Sequence, residues 1–298
     1  MNHQILSDPV RMALERAVTE RLGREWRAWE MTDLKDYACH PAAILSDGAY
    51  AVFAKFSDAA NGGEQFAIEL DGLRLLSQRA GVLTPTPVAN LAVEGGALLV
   101  LEAVAAVERG PQQWREIGQA LARIHQVRGE RCGLETQGYF GALYQDNRPL
   151  DDWAAFFAER RLWPRFIAAV DSGRLDSPAI RQIERLIARV PELMGAARPI
   201  CLLHGDAQQN NYISTAQGAV VIDPAACYGD AEFDLAFVDY FQPVPEEVFA
   251  AYREVLPIDP GFAERRDLYR VYGYLAAVSV EGGEGYMGQL MAAAWKYL

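Results

Sequence analysis

The residues with the clearest chemical potential lie in one stretch, Leu203-His204-Gly205-Asp206-Ala207-Gln208-Gln209-Asn210-Asn211. In phosphoryl transfer, an Asp two residues after a His orients the acceptor hydroxyl, and an Asn five residues beyond that Asp holds magnesium. Asp206 and Asn211 meet that spacing. Further on, the apolar strand Ala219-Val220-Val221-Ile222 ends at Asp223, where a short hairpin would deliver a second metal-binding carboxylate. A triphosphate carries several negative charges that magnesium must bridge, and magnesium takes carboxylate and amide oxygens. Two such ligands on either side of one hairpin suffice. Read alone, the segment has a plainer explanation, because Asp and Asn are common turn formers and caps. Lys55 and Glu69 shift the balance. A Lys late in a hairpin strand followed by a Glu on the next helix forms the ion pair that holds α- and β-phosphates in phosphoryl-transfer enzymes.

These residues need elements to position them. Ser7 or Asp8 as a cap, Pro9 in the first turn, and Val10, Leu14, Ala17, Val18 and Leu22 at helical spacing predict an opening helix. From Ala42 to Phe56 two apolar runs flank Asp47-Gly48, a hairpin signal that leaves Lys55 near the end of the second strand. Phe66, Leu70, Leu73 and Leu76 share one face of a helix over 64–79, stopped by Gly81. Strands at 88–93 and 97–101 surround Glu94-Gly95-Gly96. The first hundred or so residues thus predict a small α+β lobe on an antiparallel sheet. After Glu102 the periodicity becomes helical, at 114–127, 151–170 and 178–193, interrupted only by short β-prone pieces between Ile200 and Asp223. No repeat or long linker intervenes, so residues 1–105 are expected to form a nucleotide-binding lobe and 106–298 a catalytic and acceptor-binding lobe. Glu102, at their junction, joins Lys55 and Glu69 in the expected nucleotide-binding set.

Composition excludes several classes of function. Against 28 Lys and Arg stand 40 Asp and Glu, a formal net charge of -12, which repels phosphate backbones and anionic membranes. Nucleic acid and membrane are therefore not expected partners. No apolar run approaches the roughly 20 residues of a bilayer span, and the charged N-terminal stretch does not read as a signal peptide, which leaves a cytoplasmic protein. Cys39, Cys132, Cys201 and Cys227 show no CxxC spacing, so reduced thiols are expected rather than disulfides or zinc. His125, in the helical run Gly118-Gln119-Ala120-Leu121-Ala122-Arg123-Ile124-His125, reads as a packed or capping histidine. An exposed Cys39 would be a candidate redox thiol, although a free Cys is usually an inert small hydrophobe. The aromatic residues Tyr139, Tyr144, Trp153, Trp163, Tyr286 and Trp295 divide between core and the flank of an acceptor cleft, which the glycine-rich segment 281–285 could line.

The chain resembles the fructosamine kinase (ketosamine-3-kinase) family of the protein-kinase-like aminoglycoside phosphotransferase superfamily. The likeness is carried by Cys201-Leu202-Leu203-His204-Gly205-Asp206, by Asn211, and above all by the run from Asp223-Pro224-Ala225 to Asp234-Leu235-Ala236. Phe66, Glu69, Gly72, Leu73, Trp153, Phe156, Phe157, Arg161, Leu162, Gly283, Gly285 and Tyr286 support it. The resemblance implies a two-lobed kinase-like α+β fold, with a small antiparallel-sheet lobe and a larger, mainly helical one. It implies ATP and Mg2+ bound between the lobes, and γ-phosphoryl transfer to a hydroxyl of a small molecule, a glycated amine or sugar. Residue by residue, it implies Asp206 as catalytic base, Asn211 and Asp223 as magnesium ligands, and Lys55 as phosphate anchor with Glu69 as its partner. His204, Asp230 and Asp234 take supporting roles.

The departures cluster where nucleotide and acceptor would bind. The stretch Met31 to His40, where the family carries a glycine-rich nucleotide loop, has no glycine. Gln208 stands in place of a Trp, Ala276 and Ala277 in place of a polar pair, and the segment between Gly141 and Trp153 is short. The alternatives are a phosphotransferase of the same superfamily acting on an aminoglycoside, amino alcohol or plain sugar, and a catalytically silent nucleotide-binding protein. Joint retention of Asp206, Asn211 and Asp223 argues against the silent protein. The oligomeric state is not set by the sequence.

Overall fold

A computed structural model describes residues 5, 7–34, 40–280 and 284–298. The chain opens with α1 (Asp8–Leu22), then β1 (Glu30–Asp33), β2 (Ala42–Ser46), β3 (Ala51–Ser57), α2 (Gly62–Ala80), β4 (Pro87–Val93) and β5 (Gly96–Glu102). The five strands form one antiparallel sheet in the order β1-β2-β3-β5-β4. Strand alternation sorts its side chains. Ala43, Leu45, Val52, Ala54, Leu98 and Val100 pack in a cluster with Val10, Leu14 and Val18 of α1. Ala97, Leu99 and Leu101, backed by Phe53, instead meet Phe66, Leu70 and Leu73 of α2. Lys55 has the parity of Phe53, and Glu69 lies within one turn of Phe66, Leu70 and Leu73, so the two polar residues share the sheet–α2 interface. Each fully buried Leu or Val in these layers contributes about 1.5–3 kcal/mol.

The second lobe contains α3 (Pro111–Gln126), the hairpin β6 (Gly138–Phe140) and β7 (Leu143–Gln145), α4 (Trp153–Phe156), α5 (Trp163–Asp171), α6 (Ser177–Met194), β8 (Ile200–Leu203), β9 (Tyr212–Thr215), β10 (Gly218–Val221), β11 (Cys227–Asp230), α7 (Ala231–Phe237), α8 (Glu246–Arg253), α9 (Phe262–Val280) and α10 (Glu284–Trp295). One apolar core unites them, and Leu76 and Val82 from the first lobe join it. No helix among the described residues is long and apolar enough to cross a membrane.

Three local readings change. Met31 to Asp33 belong to β1, paired with Ala43 to Leu45 of β2, so the first part of the expected nucleotide loop is strand, while residues 35–39, including Cys39, lie outside the described residues. Cross-strand pairing decided this, since Glu-Met-Thr-Asp has no alternating pattern of its own. The helical stretch over 151–170 is interrupted by a π-helical turn, Phe157–Leu162, whose Arg161 is buried and donates from Nη2 to Asn147 Oδ1 at 2.6 Å. β11 was not anticipated. Its Cys-Tyr-Gly-Asp sequence pairs with β8 only because α7 and the core hold it there.

Candidate active site

β8 ends where the chemistry begins. Leu203 is fully buried opposite Cys227, and the chain turns away from the sheet at His204. Gly205 makes the turn at φ 81°, and a Cβ there would lie 2.0 Å from Ala225 O, so only glycine fits. The backbone N–H groups of His204 and Gly205 donate to the Asp234 carboxylate at 2.6 and 2.9 Å. His204 is closed off from water, with Nδ1 accepting from the Asp206 N–H at 3.2 Å and Nε2 lying 3.0 Å from Ile222 O. That pair of partners selects the neutral Nε2–H tautomer, in agreement with burial holding its pKa below the ordinary value.

The Asp206 carboxylate receives Asn211 Nδ2 at 2.9 Å and Gln208 Nε2 at 3.2 Å. Asn211 Nδ2 also donates to Asp206 O at 2.8 Å, which commits the nitrogen end of that amide and turns its oxygen the other way. Burial pushes the Asp206 carboxyl up to about 7, the charges of Asp223 and Asp234 add to this, and the donors Gln208 and Asn211 oppose it. The Ile222 N–H donates to Asn211 O at 3.0 Å, extending the β9–β10 hairpin so that Asn211 and Asp223 leave from the same end. Asp223 has φ 51°, the only left-handed non-glycine residue among those described. Asp tolerates that conformation better than most residues, at some cost in strain.

Lys55 Nζ donates to Glu69 Oε2 at 2.7 Å and to Asp223 Oδ1 at 2.8 Å, so one ammonium links sheet, α2 and the second lobe. Close approach of α2 makes this possible: Gly72 faces Pro224, and a Cβ there would lie 3.0 Å from Pro224 Cγ. Burial disfavours the Lys55 charge, but Asp223 and Glu69 outweigh it and hold the pKa above the ordinary value. Burial raises the Glu69 carboxyl, with Lys55 opposing. Burial also works against ionisation of Asp223, where the Lys55 ammonium wins and holds the carboxyl below its usual range.

Asp206, Asn211, Asp223, Lys55, Glu69, His204 and Asp234 are therefore brought into one constellation. Two expected residues stand apart. Asp230 caps α7, accepting from the Glu232 N–H at 3.0 Å, and receives Arg198 Nε at 2.6 Å and Tyr269 OH at 2.9 Å, so it braces the fold behind the loop. Glu102 is exposed at the end of β5, where its N–H donates to Thr86 O. His125 is packed, as expected, but with a specific job: Nε2 lies 3.1 Å from Asp234 Oδ2 and Nδ1 2.9 Å from Tyr252 OH. Trp153 is buried in the core, while Tyr144, Trp163 and Trp295 are exposed. Sequence reasoning missed Arg109, whose Nη2 donates to Gln209 O at 3.0 Å and to Tyr212 O. A cation directly before a Gly-Pro helix start was the available signal, since the helix dipole disfavours it there.

The site fits magnesium. Its carboxylates outnumber its one ammonium, and the uncommitted ligand atoms are carboxylate and amide oxygens. No group of three His, Cys, Asp or Glu side chains arranged to hold a metal occurs among the described residues, so remaining ligands would have to be phosphate oxygens and water.

Comparison with known proteins identifies the family. The sequence pattern of the fructosamine kinase family matches residues 10–298. A probable ketoamine kinase of Synechocystis is 31% identical over 276 residues, covering 91% of each chain. The crystal structure of a candidate fructosamine-3-kinase from Thermobifida fusca superposes with a TM-score of 0.83 at 30% identity, covering 96% of this chain and 98% of that one. An aminoglycoside phosphotransferase, solved as a ternary complex with AMP-PNP and hygromycin B, shares the fold with a TM-score of 0.60 at 14% identity, covering 95% and 98% of the two chains. With a family match over nearly its whole length and a kinase-like α+β fold, this chain belongs to the fructosamine kinase family and is a kinase.

Proposed function

We propose that the protein is an ATP- and magnesium-dependent kinase that phosphorylates a hydroxyl of a sugar-amine adduct of the fructosamine or ketosamine type. The observation that carries the reading is the Lys55 ammonium held between Glu69 and Asp223, 2.7 and 2.8 Å away, beside the Asp206–Asn211 pair. In this reading Glu69 keeps Lys55 extended toward the nucleotide phosphates, and Asp223 would help to hold the metal. Asn211 offers its amide oxygen to the same ion. Magnesium, when bound, neutralises charge on the transferring phosphoryl group. Asp206 orients the acceptor hydroxyl and takes its proton, a role suited by a carboxyl held near 7. Asp234 and His204 keep the loop in register, Asp230 braces it from behind, and Glu102 borders the nucleotide at the lobe junction. Positioning and charge neutralisation supply most of the rate.

Family membership supports the acceptor class, and the net charge of -12 suits a cationic amine. No helix among the described residues is long and apolar enough to cross a membrane, and the free buried thiols Cys132, Cys201 and Cys227 suit a reducing cytoplasm. Release of ADP from ATP should be measured with fructosyl-lysine, ribosyl-lysine, free sugars and aminoglycosides in parallel. The glycated lysines should give the highest kcat/KM. Turnover confined to aminoglycosides or plain sugars would replace the acceptor, and nucleotide binding without turnover on any of them would favour the silent reading.

A further inference from the structure

The catalytic loop is gripped at two places by opposite charges. At its start Asp234 collects the N–H groups of His204 and Gly205. At its end Arg109 collects the carbonyls of Gln209 and Tyr212, which flank Asn211. Arg109 lies in the connection between β5 and α3, where the chain passes from one lobe to the other. That connection runs beside β9, where the Val107 N–H donates to Ser214 O at 2.8 Å.

Stability alone gives little reason for a guanidinium here. Arg109 is half-buried, and burial depresses its pKa. It has no carboxylate within ion-pair reach among the described residues, and it stands one residue before the N-cap of α3, the positive end of the helix dipole. What it gains is the two carbonyls and the face of Trp114, 4.8 Å from the guanidinium carbon. Both bonds leave Nη2, whose two N–H groups are fixed in the guanidinium plane, whereas the N–H groups of an ammonium rotate freely at the end of a flexible stem.

We propose that Arg109 is a positioning residue. It fixes the 3₁₀ turn Gln209–Asn211, so that the Asn211 amide reaches Asp206 with its nitrogen and presents its oxygen for metal, and it ties that geometry to the inter-lobe connection. The proposal rests on the reading of Asn211 as a metal ligand given above. Outer-shell partners of this kind typically alter metal affinity or activity by about 10–100-fold.

The test compares the unsubstituted protein with Arg109→Met and Arg109→Lys, after circular dichroism and thermal melts show that they fold. Amide hydrogen exchange over residues 208–212 should accelerate about tenfold or more in Arg109→Met while α6 is unchanged, with a smaller effect in Arg109→Lys. Calorimetric titration of Mn2+ into protein saturated with a non-hydrolysable ATP analogue should show metal binding weakened about tenfold in Arg109→Met, with metal-free nucleotide affinity within about twofold. Millimolar guanidinium, far below denaturing concentrations, should restore part of the metal affinity of Arg109→Met and leave that of Arg109→Lys unmoved. Unchanged exchange in the loop overturns the proposal, whatever the ligand. Unchanged metal affinity in Arg109→Met overturns it while leaving the metal site standing. If the unsubstituted protein shows no metal binding with the analogue present, the reading of Asn211 and Asp223 fails, and this proposal fails with it.

Discussion

At the scale of single residues, Asp206 and Lys55 illustrate two ways in which burial is used. Asp206 is surrounded by neutral amide donors and further acids, so its carboxyl titrates close to neutrality and can accept a proton from a hydroxyl. Lys55 is surrounded by acids, so its charge is secure. Asp206→Asn retains the shape and the contact with Asn211 but cannot take the proton. We expect turnover to fall by about 10² or more with nucleotide affinity little changed and no loss of melting temperature at neutral pH. Single-turnover rates beside nucleotide titrations decide this, and retention of more than a tenth of the rate would remove Asp206 from its role. Lys55→Met leaves Glu69 and Asp223 facing each other without a cation. Because Asp223 is 43% exposed, the penalty should fall below that of a fully buried pair, at about 1–3 kcal/mol. Denaturant midpoints measure it, and a variant at least as stable as the parent would mean that the pair is not held as described.

Among the elements, the decisive contacts are those that hold a loop between two rigid bodies. Asp234 on α7 serves the loop backbone and His125 of α3 at once, and His125 continues to Tyr252 of α8. All four groups are closed off from water, so removing the carboxylate leaves two backbone N–H donors and Nε2 of His125 unpaired. Asp234→Ala should cost about 3–5 kcal/mol, the range for breaking a buried charged network. Tyr252→Phe, which removes only the far end, should cost about 1 kcal/mol. Comparable losses for the two variants in chemical denaturation would contradict a network centred on Asp234.

Across the whole molecule, the opposing pKa shifts predict how the ligand-free protein responds to pH. Asp47 is held at about 2 by Arg24, helped by the Tyr50 and Ala49 N–H groups, so the stability that it contributes is present above the ordinary Asp range and lost as pH falls toward 2. Asp206 has the opposite sign. Between about 4 and 7 the folded state keeps a proton that the unfolded state has released, so stability falls as pH rises across that window and levels off above it. Repulsion within a chain of net charge -12 acts in the same direction. The melting temperature without ligands should therefore be higher at pH 5 than at pH 7.5, and Asp206→Asn should narrow the difference. A difference of the same size in Asp206→Asn would assign the effect to Glu69, whose carboxyl is also raised by burial, and to general charge repulsion.

The boundary between what the sequence determined and what folding decided follows the range of the interactions. Asp47-Gly48, the Gly81 stop and the spacing of Phe66, Leu70 and Leu73 act within a few residues, and they already specified the hairpin, α2 and the placement of Lys55 and Glu69 on elements that could meet. The His-Gly-Asp-to-Asn spacing likewise set the Asp206–Asn211 contact, because both sit on one tight loop. β1 and β11 were invisible, since short polar strands take their pairing from neighbours rather than from their own residues. Arg109 at Tyr212, His125 at Asp234 and Lys55 at Asp223 join positions 103, 109 and 168 residues apart. No local pattern encodes such pairings. They exist because the packed cores bring α2, α3 and the 204–223 loops to one place, where a buried charge or N–H must find a partner or pay its full desolvation cost.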